Sequence, residues 1–591
     1  MTENCCSELQ FRMSTQEPLK TKVDEALIRR LRALSGNSMK RALQFGGYFG
    51  ERTDSEGLDA LVEEIAGSDS TRLALMLFVI VTGAYPSEQI YRRVQTIGTE
   101  LGWATAIDWI KSCNEVIDAD IEFASSGVAY DVTNTLISPV LTGIQRVVYE
   151  LGRRLWQQDK PVFFFSVKAG LGPTILSEEH AAAFLEKYKP SSKPLISGEK
   201  AFDAYELLEA SANPTSRGRG ASLKLAVRAR AKAAYEFAKI YVFPPALHKS
   251  IATGLARMRV HLQRRREEAA IPRAKNEQKR EFQWITKLFG GKGRGGSRKT
   301  VAWFEDCNLL VAELFSPMRS DIYPPFLAAF KSSTIVIHDV IPISHPQYCV
   351  ESVVAAHVGY LRVTAMFDRV VPVSRATGGS YSDFILSAFG TLPQVDPVLL
   401  PNFMGEIPPR QLGETSVPRV CCFSTMEPRK GHWRVLEACE KLWNAGAEFE
   451  LVLIGGSGWK SDELIQRIEF LREKGRPILR NRRFLDDHEV GLIIRTCLCS
   501  IFCSEVEGFG LPVVESLALG VPVICADVSS MSEIIEATKG CYPIDPFSLE
   551  SISNAISQFI EGDVSAGAHI SLDGLLSANQ YVEEVARFPV A

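Results

Sequence analysis

The spacing of apolar residues changes twice along the 591-residue chain. From Val23 to about Lys111 they recur at helical intervals, as in VDEALIRRLRAL and SEQIYRRVQTIGTELG, and strand-like runs are scarce. This pattern predicts a separate small helical domain. Within it the apolar run Leu73 to Tyr85, about 13 residues, falls short of the roughly 20 that span a bilayer, so a buried helix is expected. Residues 1–22 are polar, lack periodicity and are expected to be disordered. At Val128 the texture becomes alternating strand and helix: VAYDVT, then TGIQRVVYELGRRLW, then PVFFFSV. Strand, glycine-bearing turn, helix and strand make a βαβ unit. The alternation returns with TIVIHDV (334–340), DRVVPVS (368–374), a helix around 376–388 and PVLLP (397–401). A proline-rich stretch reaching Pro418 reads as a hinge. A second alternation runs from RVCCFST through FELVLIGG and LCSIFCS to VPVICAD, and VEEVARF predicts a closing helix. Two α/β halves joined by a hinge enclose a cleft, where doubly wound sheets place ligands at the carboxyl ends of their strands.

Charge marks the interruption between the two parts of the first half. Residues 217–299 carry 22 Lys and Arg against 5 Glu and no Asp. That local +17 lies in a chain whose total is −4, which leaves −21 for the rest. The stretch ends in GGKGRGGSRK, a flexible basic linker, and reads as an insertion in the first α/β half. A solvated helical hairpin, a patch for anionic lipid head groups and a nucleic-acid contact are its three readings. No nucleic-acid motif accompanies the charge, so no nucleic-acid partner is expected. Composition, 46% apolar and 23% charged, excludes a mostly disordered or fibrous chain. The 13 cysteines form no C-x-x-C pair and read as buried thiols of a reducing compartment. No signal-peptide pattern opens the sequence. The expected location is cytoplasmic, with peripheral contact at the inner face of an anionic membrane through residues 217–299.

The most informative run is SEVEGFGLPVVESLALGVPVI, residues 504–524. A strand ends at Cys503, Gly508, Phe509 and Gly510 form a loop, and Pro512 marks the first position of a helix. The glycines let the backbone approach a ligand, and the helix start offers free N–H donors and the positive dipole end to an anion. Glu507 precedes the loop. Glu515 lies in or just past the first turn, its side chain leaning back toward the helix start. Carboxylates accept from sugar hydroxyls and amides donate to phosphate, so a polyhydroxylated anion suits the group. Glu515 read alone is equally an ordinary helical residue. In TMEPRKG, Arg429 and Lys430 sit at a strand end before a helix; Arg grips phosphate with two hydrogen bonds, and Lys acts as a point charge. A solvated basic turn is the plain alternative. In IGGSGW, Gly455 and Gly456 follow another strand, a weak signal by itself.

Together these runs resemble the retaining family 4 glycosyltransferases of the GT-B fold. EGFGLPVVESLALGVPVI resembles their E-x7-E segment. MEPRKG and IGGSGW resemble a branch that includes bacterial mannosyltransferases of O-antigen and lipopolysaccharide or other polysaccharide assembly. DVTNTLISPVLTGIQRVVYE resembles that branch's first strand, glycine loop and helix, and HDVIPISHPQY its donor-facing segment. The likeness covers about 126–170 and 300–565. It implies an α/β GT-B fold of two Rossmann-like domains facing across a cleft, plus the helical start and the basic insertion. The expected boundaries are 1–120 for the disordered start and helical domain, and 121–410 for the acceptor-side domain, with the insertion at about 173–300. Residues 411–575 are the nucleotide-sugar-binding domain, and 576–591 a C-terminal helix and tail. The implied activity is transfer of a hexose, mannose favoured, from a nucleotide sugar to a saccharide or lipid-linked saccharide acceptor. GDP-mannose is the favoured donor, and no metal is required.

The resemblance also implies roles residue by residue. Glu507 contacts the sugar hydroxyls near the anomeric carbon, and Glu515 holds the nucleotide ribose. Arg429 and Lys430 neutralise the diphosphate with help from the amides of Gly508, Phe509, Gly510 and Leu511. Gly143 lets the first domain's loop approach the donor, and His338 lies near the sugar; a core or capping histidine is the alternative for His338. Many family members have Arg five positions before the Lys, where this chain has Thr425, so Arg429 is expected to substitute. Asp118-Ala119-Asp120 spells the D-x-D of metal-dependent transferases but precedes the first expected strand and reads as a linker or helix end. The nine histidines have no metal-ligand spacing. A non-catalytic scaffold or regulator, binding membrane or partners through the basic insertion, is the competing function class.

Overall fold

The computed structural model describes residues 26–27, 29–30, 70–114, 116–138, 143–168, 170–187, 299–315, 317–404, 417–458, 460–481, 487–562 and 569–589. The expected disorder of residues 1–22, the basic insertion from 188 onward, residues 405–416 of the hinge and Trp459 lie outside them.

The first lobe contains the strands β1 (Ala119–Ser125), β2 (Val128–Asp131), β3 (Val162–Lys168), β4 (Gly172–Ile175), β5 (Lys299–Glu305), β6 (Asn308–Val311), β7 (Ser332–Ile337), β8 (Arg369–Pro372) and β9 (Gln394–Val395). Seven form one sheet in the order β4-β3-β2-β6-β7-β8-β9, parallel except for the β3–β4 hairpin. The other two, β1 and β5, pair with each other in parallel. The second lobe contains β10 (Arg419–Phe423), β11 (Glu450–Ile454), β12 (Ile478–Asn481), β13 (Cys499–Phe502), β14 (Val523–Ala526) and β15 (Cys541–Ile544). Their order is β12-β11-β10-β13-β14-β15, all parallel. This is the Rossmann order, with its direction reversing between β10 and β13. The first sheet reverses likewise between β2 and β6. Strands such as VCCF and VICA are buried along their whole length, as a parallel sheet covered on both faces requires. Two such lobes facing across a cleft constitute the expected GT-B fold.

Several boundaries differ from the sequence reading. The helices Ser70–Thr82, Glu88–Leu101 and Trp103–Cys113 do not stand apart as a separate domain. Leu73, Leu77, Ile80, Val94 and Ile110 belong to the same apolar core as Phe165, Trp303, Ile335 and Val370 of the first lobe. The helix Ser70–Thr82 is buried from Leu73 to Thr82, so a helix apolar on all sides is wrapped by protein. Among the described residues no helix is long and apolar enough to cross a membrane. Of Asp118-Ala119-Asp120, only Asp118 lies in the connection that leads into β1. Asp120 lies in β1, and Arg29 pairs with both carboxylates at 2.5 and 3.0 Å. The stretch assigned to an insertion from about 173 begins as ordered first-lobe structure. There β4 and the helix Glu178–Lys187 follow β3, and Phe184 packs edge-on against Phe164. The strand β5 starts at Lys299, inside the run taken as basic linker.

The expected closing helix spans Ala578–Val585 and opens with a capping box of Ser577 and Gln580. It returns to the first lobe. Arg369, the first residue of β8, donates from Nη1 to the carbonyl of Glu584 at 2.9 Å and of Arg587 at 2.8 Å.

Candidate active site

A cavity of about 700 Å³ opens between the carboxyl ends of the two sheets. Glu507, Arg429, Lys430, His338, Glu515, Gly508, Phe509, Gly510, Leu511, Gly143, Gly455 and Gly456 all border it. The second lobe supplies its floor from both sides of its reversal point. The turn after β10 carries Thr425 to Lys430, and the turn after β13 carries Glu507 to Gly510. The first lobe supplies the roof from the start of the helix Gly143–Trp156 and the residues just past β7.

Charge pairing organises the floor. Glu507 accepts hydrogen bonds from Arg429 Nη1 at 2.8 Å, from Ser504 Oγ at 2.8 Å and from Lys430 Nζ. Arg429 also donates to Glu427 at 3.0 Å and to the Val506 carbonyl at 3.1 Å. Burial pushes the Glu507 carboxyl up, but Lys430 and Arg429 outweigh it and bring it down to about 2. Burial works against the Arg429 charge as well, yet Glu507 and Glu427 raise its pKa. A short helical turn, Pro428–Lys430, presents the two cations, and Gly431 ends it at φ +70°. A Cβ on Gly431 would overlap the Cys503 carbonyl, so the β10 turn and the end of β13 touch backbone to backbone.

The loop between Glu507 and Gly510 is held by its carbonyls. Ser529 and Ser530 each donate to the Glu507 carbonyl at 3.0 Å, and Ser530 also to Phe509 at 2.7 Å. From the first lobe, Ser374 and Thr377 donate to the Gly508 carbonyl at 2.7 and 3.0 Å. With the carbonyls fastened behind it, the loop borders the cavity at the start of the helix Leu511–Ala518. Pro512 occupies its second position rather than the expected first. A Cβ on Gly508 would overlap the His338 carbonyl and stand 2.8 Å from Asp339 Cβ, so only glycine permits this approach of the lobes.

The roof holds two side chains of consequence. His338 is buried, and its Nε2 lies 2.6 Å from the Ala312 carbonyl. A carbonyl only accepts, so Nε2 carries the proton and Nδ1 is the ring's remaining acceptor. Burial lowers the His338 pKa against the pull of that bond and so favours the neutral ring. Arg146, one turn along from Gly143, reaches across to the second lobe. It pairs with Glu515 through Nη1 and with Asp487 through Nη2 at 2.6 Å. Burial raises the Glu515 carboxyl, and Arg146 pulls it the other way. Behind the roof, at the first sheet's own reversal point, Arg319 is buried between Asp131 and Glu313. Glu313 caps the helix Thr133–Ile137, accepting from Asn134 N and Thr135 N at 2.7 Å each.

Sequence reading did not single out Arg146, Asp339, Glu427, Ser374, Ser529 or Ser530 for the site. Arg146 was the legible one: it lies three positions past Gly143 in the run TGIQR, on the same helical face. The serines act through loop carbonyls from distant segments and leave no local pattern.

Residues 406–569 match the model of the family described as glycosyl transferases group 1. The chain carries a group 1 glycosyl transferase domain. Its match coincides with the second lobe and all the site residues that lobe provides. Among sequence relatives, the serotype-specific mannosyltransferase WbdA of Escherichia coli is 25% identical over 263 residues, covering 41% of this chain and 32% of that protein. The O-antigen chain mannosyltransferase B of Escherichia coli is 32% identical over 158 residues, covering 27% of this chain and 40% of that protein. The matched region thus spans about a third of the length of WbdA. Among solved structures, sucrose-phosphate synthase of Thermosynechococcus elongatus aligns over 78% of this chain and 94% of its own, with 13% identity and a TM-score of 0.40. Anabaena Alr3699/HepE, in complex with UDP and glucose, aligns over 49% of this chain and 85% of its own, with 15% identity and a TM-score of 0.37.

Proposed function

We propose that this group 1 glycosyl transferase domain works as a retaining hexosyltransferase. It moves mannose from GDP-mannose to a saccharide or lipid-linked saccharide acceptor in cell-surface polysaccharide assembly. The observation that carries the reading is the placement of Glu507, Arg429 and Lys430 as one bonded group beside the glycine loop, in a cavity walled by both lobes. The mannosyltransferase relatives support the choice of sugar.

The chemistry follows from charge. Breaking the bond between the anomeric carbon and the diphosphate oxygen puts negative charge on the diphosphate and positive character on the sugar ring. Arg429, Lys430 and the loop amides meet the first, preorganised and partly shielded from water. Glu507, ionised through the working pH range, meets the second and accepts from the sugar hydroxyls. The acceptor hydroxyl bonds to the anomeric carbon on the face the diphosphate leaves, and its proton passes to a diphosphate oxygen, which gives retention. The cations and the helix start supply this stabilisation without a divalent metal.

Incubation with a panel of sugar nucleotides tests the reading through slow donor hydrolysis. GDP-mannose is expected to be consumed fastest, with or without EDTA. Glu507→Ala and Lys430→Ala are each expected to cut the rate by about 10²–10³-fold, the usual cost of removing a preorganised charge stabiliser. Wild-type rates in both variants would remove the proposed site.

A further inference from the structure

Arg146 is the one cation that the first lobe contributes to the described lining of the cavity. All three lining cations bear ligands: Arg429 bonds Glu507, Glu427 and the Val506 carbonyl, Lys430 bonds Glu507, and Arg146 pairs with Glu515 and with the exposed Asp487. The described lining also holds more carboxylates than cations, with Asp339, Glu427, Asp487, Glu507 and Glu515 against Arg146, Arg429 and Lys430. A diphosphate ester entering such a cavity needs a cation that can change partners.

Arg146 has the position and the chemistry for that exchange. A Cβ on Gly143, one turn before it, would lie 3.4 Å from Leu511 Cδ1, in contact with the start of the helix Leu511–Ala518. Glu515, its partner, is one turn along that helix, with a side chain leaning back toward the start. The guanidinium and the loop residues Gly508 to Leu511 border the same cavity. Ribose hydroxyls are donors and can replace the guanidinium on a carboxylate. A planar guanidinium released in this way can take two phosphate oxygens at once.

We propose that Arg146 is the first lobe's diphosphate grip: it passes from Glu515 to the diphosphate as the ribose hydroxyls take Glu515, and it closes the site from the side opposite Arg429 and Lys430. The inference rests on the nucleotide-sugar reading above. It makes closure of the two lobes and recognition of the diphosphate a single event, because the grip and the ribose carboxylate belong to different lobes.

Calorimetric titration of the full-length protein tests it. GDP, UDP and ADP are titrated first into wild type, and the tightest binder is then compared with its nucleoside monophosphate in Arg146→Ala and Arg146→Lys. Arg146→Ala is expected to weaken the diphosphate at least tenfold and the monophosphate less than threefold, and Arg146→Lys to recover part of the loss. Equal weakening of both ligands would make Arg146 a latch between lobes and overturn the proposal, as would unchanged diphosphate affinity. A wild-type protein that binds none of the three diphosphates overturns the nucleotide-sugar reading itself, a result seen before any variant is compared. Arg146→Lys keeps a cation on the helix, so a misfolded alanine variant does not remove the test.

Discussion

Glu507 shows how one residue can be costly to bury and still hold a site together. Its carboxylate is nearly enclosed, which by itself favours the neutral acid, yet two cations within hydrogen-bonding reach reverse the preference. Its folded pKa, about 2, lies below the ordinary glutamate value of 4.5. A depressed acid stabilises the fold fully above its unfolded pKa and loses that contribution as pH falls through 4.5 toward 2. The melting-temperature gap between wild type and Glu507→Gln is therefore expected to be constant above about pH 6 and to narrow steadily toward about pH 3.5. A gap that stays constant over that range would mean the carboxylate is not held ionised by Arg429 and Lys430. The same shift means that any acid limb in the rate profile between about pH 5 and 7 belongs to another group.

At the scale of elements, the site is made where two turns meet, and Gly431 is the point of contact. Its φ of +70° and the Cys503 carbonyl behind it leave no room for a side chain. Gly431→Ala combines backbone strain with a collision against main chain, and is expected to cost about 2–4 kcal/mol. The turn would also shift Arg429 and Lys430 away from Glu507, so nucleoside diphosphate affinity should fall together with the melting temperature. Loss of stability with unchanged affinity would show that the turn's position does not matter to the site.

These turns were legible because each joins a strong strand pattern to residues of defined chemistry: VCCFST before MEPRKG, LCSIFCS before EGFG. The second lobe was accordingly readable at four of its six described strands, β12 and β15 being missed. The first lobe was less so. The four-residue strand β6 carries too few positions for a period to declare itself, and β5 begins within a run of glycine and basic residues that favours a linker. Apolar helices such as LALMLFVIV announce burial but not what buries them, so a helical segment sharing the first lobe's core looked like a domain of its own.

At the scale of the whole molecule, the chain passes between the lobes more than once. The final helix, Ala578–Val585, follows the second lobe in sequence but packs on the first-lobe helix Gly143–Trp156, which carries Gly143 and Arg146. Tyr581, Val582 and Val585 are fully buried in an apolar cluster that also holds Val147 and Leu151 of that helix and Phe509 and Val513 of the second lobe. Phe403 meets the Tyr581 ring edge-on at 6.1 Å. A helix fixed in this way sets the backdrop against which the roof of the cavity is positioned, so damage to it should reach the site. Tyr581→Ala removes a buried ring and is expected to cost about 3–5 kcal/mol. Its hydroxyl has no hydrogen-bond partner among the described residues, so Tyr581→Phe deletes only an unsatisfied polar atom and should leave the melting temperature equal or higher. Thermal melts of the two variants beside wild type separate the contributions. A destabilised Tyr581→Phe would mean that the hydroxyl is satisfied after all, and an unaffected Tyr581→Ala would mean that the returning helix does not clasp the lobes. If the clasp is real, Tyr581→Ala should also weaken nucleoside diphosphate binding, although the residue itself does not line the cavity.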